Sequence, residues 1–465
     1  AGLDYMLRGG FPTDSTILVS GSSGSGKTIF SMQWLFDGYD TYKEPGIYIS
    51  LTEPIAKSVK NVQTMSFFKR EYLTPLQVHF TDLRGIMKGL GISSAELDHE
   101  SIRKIAEAIQ NLVVQSKAKR VVFDSITGIA YRLKDRELIR AFMFELGTLL
   151  AQTNANVVMT SEVVGDGYSV FGVEEFISDG IIKLTHKKER KELVRRLEIV
   201  KMRGIEFDSH AASFRITKDG LQLFPRMTGK LTYHVSDKRL STGIPGMDRM
   251  TGGGYFEGSS VLLTGSSGSG KTIMALQYLV SGLQKGEKCI YVSFEESRDQ
   301  VLRNARSFGW DLESYEKDEL LTILASYPEQ RYLEEHIEAI SNASDTLGAK
   351  RVVIDSLSSL GNVFSEEVLR DFVSRLNAYL KSKLVTTLFT NATNTLLGAT
   401  KITDSHLSTI TDHIIMLRYV EIKSELHHAV LILKMRGSKH DKKLRELTFT
   451  PKGLVIANEF SGFEG

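Results

Sequence analysis

Residues 14–35 read DSTILVSGSSGSGKTIFSMQWL, and residues 258–279 read GSSVLLTGSSGSGKTIMALQYL. Each stretch opens on a short apolar run, ILVS or VLLT, that predicts a strand. It then passes through Gly21-Ser22-Ser23-Gly24-Ser25-Gly26-Lys27-Thr28, or Gly265-Ser266-Ser267-Gly268-Ser269-Gly270-Lys271-Thr272, into apolar residues at helical spacing. Both octapeptides satisfy G-x-x-x-x-G-K-[ST], the pattern of a phosphate-binding loop. The glycines let successive backbone N–H groups turn inward on the phosphates, and the helix N-terminus adds the positive end of its dipole. Lys27 and Lys271 would reach the β- and γ-phosphates of ATP, and the hydroxyls of Thr28 and Thr272 would serve Mg2+. A Gly/Ser loop with an accidental Lys-Thr is the bland alternative. Its recurrence between a strand and a helix argues against chance.

Working outward, the repetition continues. KRVVFDSITGI (119–129) matches KRVVIDSLSSL (350–360), LEIVKMRG (197–204) matches LILKMRG (431–437), and RITKDGLQLF (215–224) matches TFTPKGLVIA (448–457). The order is the same in both halves, so the chain is a tandem duplication: residues 1–225, a polar linker at 226–240, and residues 241–465. GIYISL and CIYVSF supply a further strand after each loop helix. Alternating strands and helices predict an α/β fold, two tandem P-loop domains with a mainly parallel sheet flanked by helices. Near the second domain's end, HIIMLRYVEI and HAVLILKMRG predict a hairpin joined by the polar turn KSELH, with His427 and His428 as solvated residues.

The totals bound the rest. The 465 residues are 42% hydrophobic and 25% charged, an ordinary globular composition with room for two cores. A net charge of +2 sets up no field that would favour nucleic acid. The single cysteine, Cys289, excludes an intramolecular disulfide or a Cys-rich zinc site, and a reducing, cytoplasmic compartment fits best. Apolar runs are short and broken by charges, so neither a membrane span nor a signal peptide is expected. The opening AGLDYMLRGGFP is shorter than the segment leading to PGMDRMTGGGYF, so the first domain is expected to be trimmed at its start.

Asp124 and Asp355 each end a VVFD or VVID strand, where a carboxylate faces the phosphate loop and can hold Mg2+ through water. Glu295 and Glu296, in YVSFEES, follow the next strand, and a carboxylate there can take a proton from a water or hydroxyl attacking the γ-phosphate. The first copy reads YISLTEP: Thr52 replaces one glutamate and Glu53 remains. A threonine hydroxyl is no base at neutral pH, so first-domain hydrolysis is expected to rely on Glu53 or to be slow. The KMRG segments carry Lys201 with Arg203 and Lys434 with Arg436, and alternation along a strand puts each pair on one face. Such a pair could clamp a phosphate, and in ring ATPases these groups come from the neighbouring subunit. Finally, KITDSHLSTITDHIIML (401–417) aligns with VEEFISDGIIKL (173–184) through Asp412 and Asp179. Ser408 and Thr409 stand where the first copy has Glu175 and Phe176. Phosphorylating Ser408 would add about −1.5 to −2 charges where the first copy keeps a permanent one.

With the phosphate loops, FEES, the strand-end aspartates, KMRG and ITDSHLSTITD in place, the chain resembles the KaiC family of circadian-clock ATPases and autokinases, within the RecA/DnaB superfamily. The resemblance spans essentially all 465 residues. It implies a RecA-like fold and a double-ring homohexamer with ATP and Mg2+ at the subunit interfaces, the first ring an ATPase and the second an autokinase. By the same resemblance Ser408 and Thr409 are the paired phosphoacceptors, with Thr403 a secondary one. Glu295 is the general base with Glu296 its neighbour, and Lys434, Arg436, Lys201 and Arg203 act on the γ-phosphate of an adjacent subunit. The family also returns phosphate to ADP. A KaiB-like partner is implied. Because the chain ends at GLVIANEFSGFEG, without the extension through which KaiA stimulates the family, KaiA dependence is not expected. Two alternatives share the fold: a DNA-dependent motor, which lacks a basic-aromatic stretch to support it, and a nucleotide-gated signalling scaffold.

Overall fold

The computed structural model describes residues 2–74, 77–92, 97–133, 135–163, 167–169, 172, 174–189, 192–225, 235–393, 407–422 and 424–457. Contacts divide the chain into two units, Ala1–Arg226 and Met227–Gly465. The first holds β1 (Thr16–Gly21), β2 (Gly46–Ser50), β3 (Val78–Asp82), β4 (Arg120–Asp124), β5 (Asn156–Ser161), β6 (Gly180–Glu189), β7 (Glu192–Met202), β8 (Ala212–Thr217) and β9 (Gly220–Phe224). They form one sheet in the order β3-β2-β4-β5-β1-β6-β7-β8-β9. The first six are parallel, and the last three join as an antiparallel meander.

The second unit opens with the small pair β10 (Arg239–Leu240) and β11 (Tyr255–Phe256). The last two residues of the expected linker are therefore sheet residues, and 226–234 lie outside the described residues. Then follow β12 (Ser260–Gly265), β13 (Cys289–Ser293), β14 (Leu321–Ala325), β15 (Arg351–Asp355), β16 (Thr386–Ala392), β17 (His413–Ile422), β18 (Glu425–Met435), β19 (Arg445–Thr450) and β20 (Gly453–Ile456). Their order, β14-β13-β15-β16-β12-β17-β18-β19-β20, repeats the first sheet strand for strand.

The central strands are buried along their length because helices cover both faces, which is why they read as unbroken apolar runs. Alternate residues serve opposite cores. Leu18, Ile49, Val121 and Phe123 join one, while Ile17, Val19, Tyr48 and Val122 join the other. Among the described residues no helix is long and apolar enough to cross a membrane.

Each sheet contains one arginine at the start of its fourth strand. Arg351 is fully buried, pairing with Glu287 at 2.5 Å and donating to the carbonyls of Ser241 and Tyr278, each at 2.8 Å. Arg120 repeats this with Glu44 at 2.7 Å and the Trp34 carbonyl at 2.8 Å. The loop helix makes room by carrying Gly282 and Gly38 there, where a Cβ would collide with the guanidinium.

The hairpin differs from its expected form. β17 runs to Ile422 and β18 starts at Glu425, with Ser424 at φ 66°. His427 and His428 are strand residues opposite Val420 and Tyr419. Pairing along the whole hairpin overrides the polar composition that suggested a longer turn.

Candidate active site

Each phosphate loop leaves its strand and enters its helix through a glycine in the left-handed region, Gly26 at φ 106° and Gly270 at φ 97°. A side chain is strained there, so glycine fixes the point where the backbone turns its N–H groups inward. Lys27 Nζ donates to the carbonyls of Gly21 and Ser22 at 2.7 and 3.0 Å; Lys271 does the same to Gly265 and Ser266 at 2.9 and 2.7 Å. The hydroxyls of Ser25, Ser266 and Ser269 are buried without a partner among the described residues. Together these groups fit the triphosphate of ATP, which would supply the acceptors.

Thr28 Oγ1 donates to Asp124 Oδ2 at 2.7 Å. A hydroxyl beside a carboxylate is a hard oxygen pair that fits Mg2+, whose remaining ligands come from phosphates and water. Thr28 and Asp124, and in the second domain Thr272 and Asp355, would hold the ion, which when bound spreads the charge developing on the phosphates. Both aspartates are fixed by residues that sequence reasoning missed. Tyr48 donates to Asp124 Oδ2 at 2.6 Å and Thr160 to Oδ1 at 2.5 Å. Tyr291 donates to Asp355 Oδ2 at 2.7 Å, and Thr390 donates to its Oδ1. Burial pushes both phenols well above their ordinary pKa, so they remain donors. The available signal was their recurrence in both copies.

The second site forms a cavity of about 280 Å³ lined by Lys271, Thr272, Glu295, Asp355 and Phe449. Glu295 Oε1 accepts from the hydroxyls of Ser356 and Ser359 at 2.6 and 2.5 Å. Glu296 turns instead to Asn304, whose Nδ2 donates to both its oxygens at 2.9 and 3.0 Å, and burial raises its pKa. In the first domain Glu53 holds the position of Glu296 and pairs with Lys57 at 3.2 Å. The position of Glu295 is taken by Thr52.

The loop's wall includes another residue that sequence reasoning missed. His428 lies between the rings of Tyr419 and Phe449, each centroid 4.7 Å away. Tyr419 in turn reaches the Ser267 carbonyl at 3.5 Å. Burial lowers the pKa of His428.

The candidate acceptors lie elsewhere. Ser408 and Thr409 sit on the short helix Leu407–Ile410, Ser408 partly buried and Thr409 exposed, whereas Thr403 falls outside the described residues. Lys434 Nζ donates to the carbonyls of Ser408 and Thr411, both at 2.6 Å, and Arg436 donates to that of Thr409 at 2.9 Å. Lys201 likewise reaches the carbonyls of Glu175 and Ser178, and Arg203 faces Asp179 at 3.6 Å. The KMRG groups thus hold the end of this helix within their own domain. Glu175 is not idle: its Oε1 accepts from Ser169 Oγ at 3.1 Å and the Tyr168 N–H at 3.3 Å.

The segment is fastened to the sheet by Asp412, whose Oδ2 accepts from the N–H and hydroxyl of Ser260 at 2.9 and 3.0 Å and pairs with Lys381 at 2.6 Å. Ser260 begins β12 and Gly265, at its end, begins the phosphate loop. At about 3.3 Å per residue the acceptors and the loop of one domain are separated by roughly 17 Å of strand, at opposite ends of β12.

Comparison with known proteins gives the family. The family profile described as "ATPase: KaiC" matches residues 1–228 and again 240–461. The chain belongs to the KaiC family. It is 38% identical over its whole length to the circadian clock oscillator protein KaiC of Parathermosynechococcus lividus, covering 85% of that protein. It is 37% identical to the KaiC of Synechococcus elongatus, again over the whole chain and 89% of that relative. Each of the two matched segments contains one of the phosphate loops.

Proposed function

We propose that this KaiC-family protein is an ATP-hydrolysing double-ring homohexamer whose second domain phosphorylates and dephosphorylates Ser408 and Thr409, serving as a clock or timer. The observation that carries the reading is the separation of the acceptors from the phosphate loop across one sheet. A hydroxyl at one end of the strands cannot reach ATP held at the other, so transfer requires a neighbouring subunit whose acceptor end meets this loop. Glu295, pinned by two serine hydroxyls in the cavity, takes the proton from the incoming hydroxyl. Lys434 and Arg436 lie beside the acceptors and travel with them to the neighbour's γ-phosphate. Glu175, in the first domain, supplies a fixed charge where the second has a switchable one.

Mixing two variants tests this. One chain lacks acceptors (Ser408→Ala with Thr409→Ala) and the other lacks the base (Glu295→Gln). Neither labels itself with γ-labelled ATP and Mg2+, but after subunit exchange the Glu295→Gln chain acquires label. Wild-type protein that takes up no label over hours would sink the autokinase, and hydrolysis stimulated by DNA would favour a motor.

A further inference from the structure

The first domain lacks a carboxylate where the second has Glu295, yet its loop lysine faces two. β5 pairs with β1 through Ser161 and Ser20, so the next residue, Glu162, follows at the mouth of the phosphate loop that begins at Gly21. Its N–H donates to Thr127 Oγ1 at 2.9 Å, which fixes it to the helix Ile126–Leu133 that starts just after Asp124. Among the described residues its carboxylate makes no hydrogen bond or ion pair. In the same register the second domain has Ala392, beside Gly265. The electrostatics follow the same exchange. Burial lowers Lys27, and Glu162 opposes this more strongly than Asp124. At Lys271 the opposing carboxylates are Asp355 and Glu295. Each domain thus brings a strand-end aspartate and one glutamate to its lysine, from β5 in the first and from the end of β13 in the second.

We propose that Glu162 is the general base of the first domain, replacing the glutamate that Thr52 lacks. The water oxygen bonds to the γ-phosphorus as the bond from phosphorus to the β–γ bridging oxygen breaks. The water proton passes to the Glu162 carboxylate and then to solvent, leaving ADP and inorganic phosphate. Glu53, one of whose oxygens pairs with Lys57 on the following helix, is bypassed. This rests on the reading of the first domain as an ATPase.

The test uses the full chain carrying Lys271→Ala and Glu295→Gln, so that turnover and nucleotide binding report the first domain. Adding Glu162→Gln is expected to lower the kcat of phosphate release by about 100-fold or more. Binding of a fluorescent non-hydrolysable ATP analogue should change by less than about threefold. Thr52→Glu added to Glu162→Gln is expected to recover turnover. Unchanged kcat, or kcat and affinity falling together, overturns the proposal. Turnover that needs Lys27 but not Glu162 overturns it while leaving the ATPase reading intact; absence of Lys27-dependent turnover in the parent overturns both.

Discussion

Replacing Glu295 with Gln separates the two tasks a hydrogen-bonded carboxylate can have. The glutamate Oε1 accepts from Ser356 and Ser359 at 2.6 and 2.5 Å. The amide oxygen of Gln can accept both bonds in the same place, losing only the charge assistance, about 1 kcal/mol. The fold and the phosphate loop should therefore be unaffected, and ATP should bind the second domain nearly as well. An amide is not a base, however, and loss of proton transfer costs on the order of 100- to 10,000-fold, about 3–5 kcal/mol of barrier. The assay is single-turnover labelling of Ser408 and Thr409, run beside titration with a fluorescent ATP analogue. A large fall in labelling at unchanged affinity is expected. Parallel loss of both would make Glu295 a structural residue and refute the reasoning.

Thr390→Val removes one donor from Asp355 without touching the loop, and should weaken Mg2+ activation about tenfold, read from the Mg2+ dependence of ATP hydrolysis. Arg351→Met leaves Glu287 without its buried partner, and should lower stability in urea by about 3–5 kcal/mol; Arg120→Met should cost less, because Glu44 is 40% exposed against 21% for Glu287. His413 is buried with neither ring nitrogen partnered among the described residues, and burial brings its pKa down to about 4, against opposition from Asp412 and with help from Arg239, Lys381 and Lys434. The unfolded chain titrates near 6.5, so it binds the extra proton between those values and stability falls as pH drops, by about 2 kcal/mol at pH 5. Urea unfolding at pH 7 and pH 5 checks this, and His413→Phe should remove that share of the loss.

The phosphate loops, strand-end aspartates and duplication were legible because phosphate binding demands glycines, lysine and hydroxyl at fixed local spacing. What crosses the sheet was not. Tyr48 and Thr160 meet Asp124 only after β2, β4 and β5 are laid side by side, and nothing near Asp124 in sequence indicates either residue. Glu162 stayed hidden for the same reason, lying far along the chain from the Thr52 position it complements. His428 was misread because Lys423 to His427 looks like a turn in isolation, whereas the ladder with β17 carries it into a strand beside the loop. The KMRG pairs were seen as cationic groups, but their grip on the carbonyls of the acceptor helix depends on β18 lying against β17.

Strand β12 is anchored at Ser260 by Asp412 and opens at Gly265 into the phosphate loop, so two events meet on one six-residue rod. Linkage then imposes a symmetry on the pair. Whatever factor a phosphate on Ser408 would apply to ATP affinity, bound ATP would apply to the equilibrium that keeps that phosphate in place. Measuring nucleotide affinity in the phosphorylated and unphosphorylated forms would give the size of that coupling.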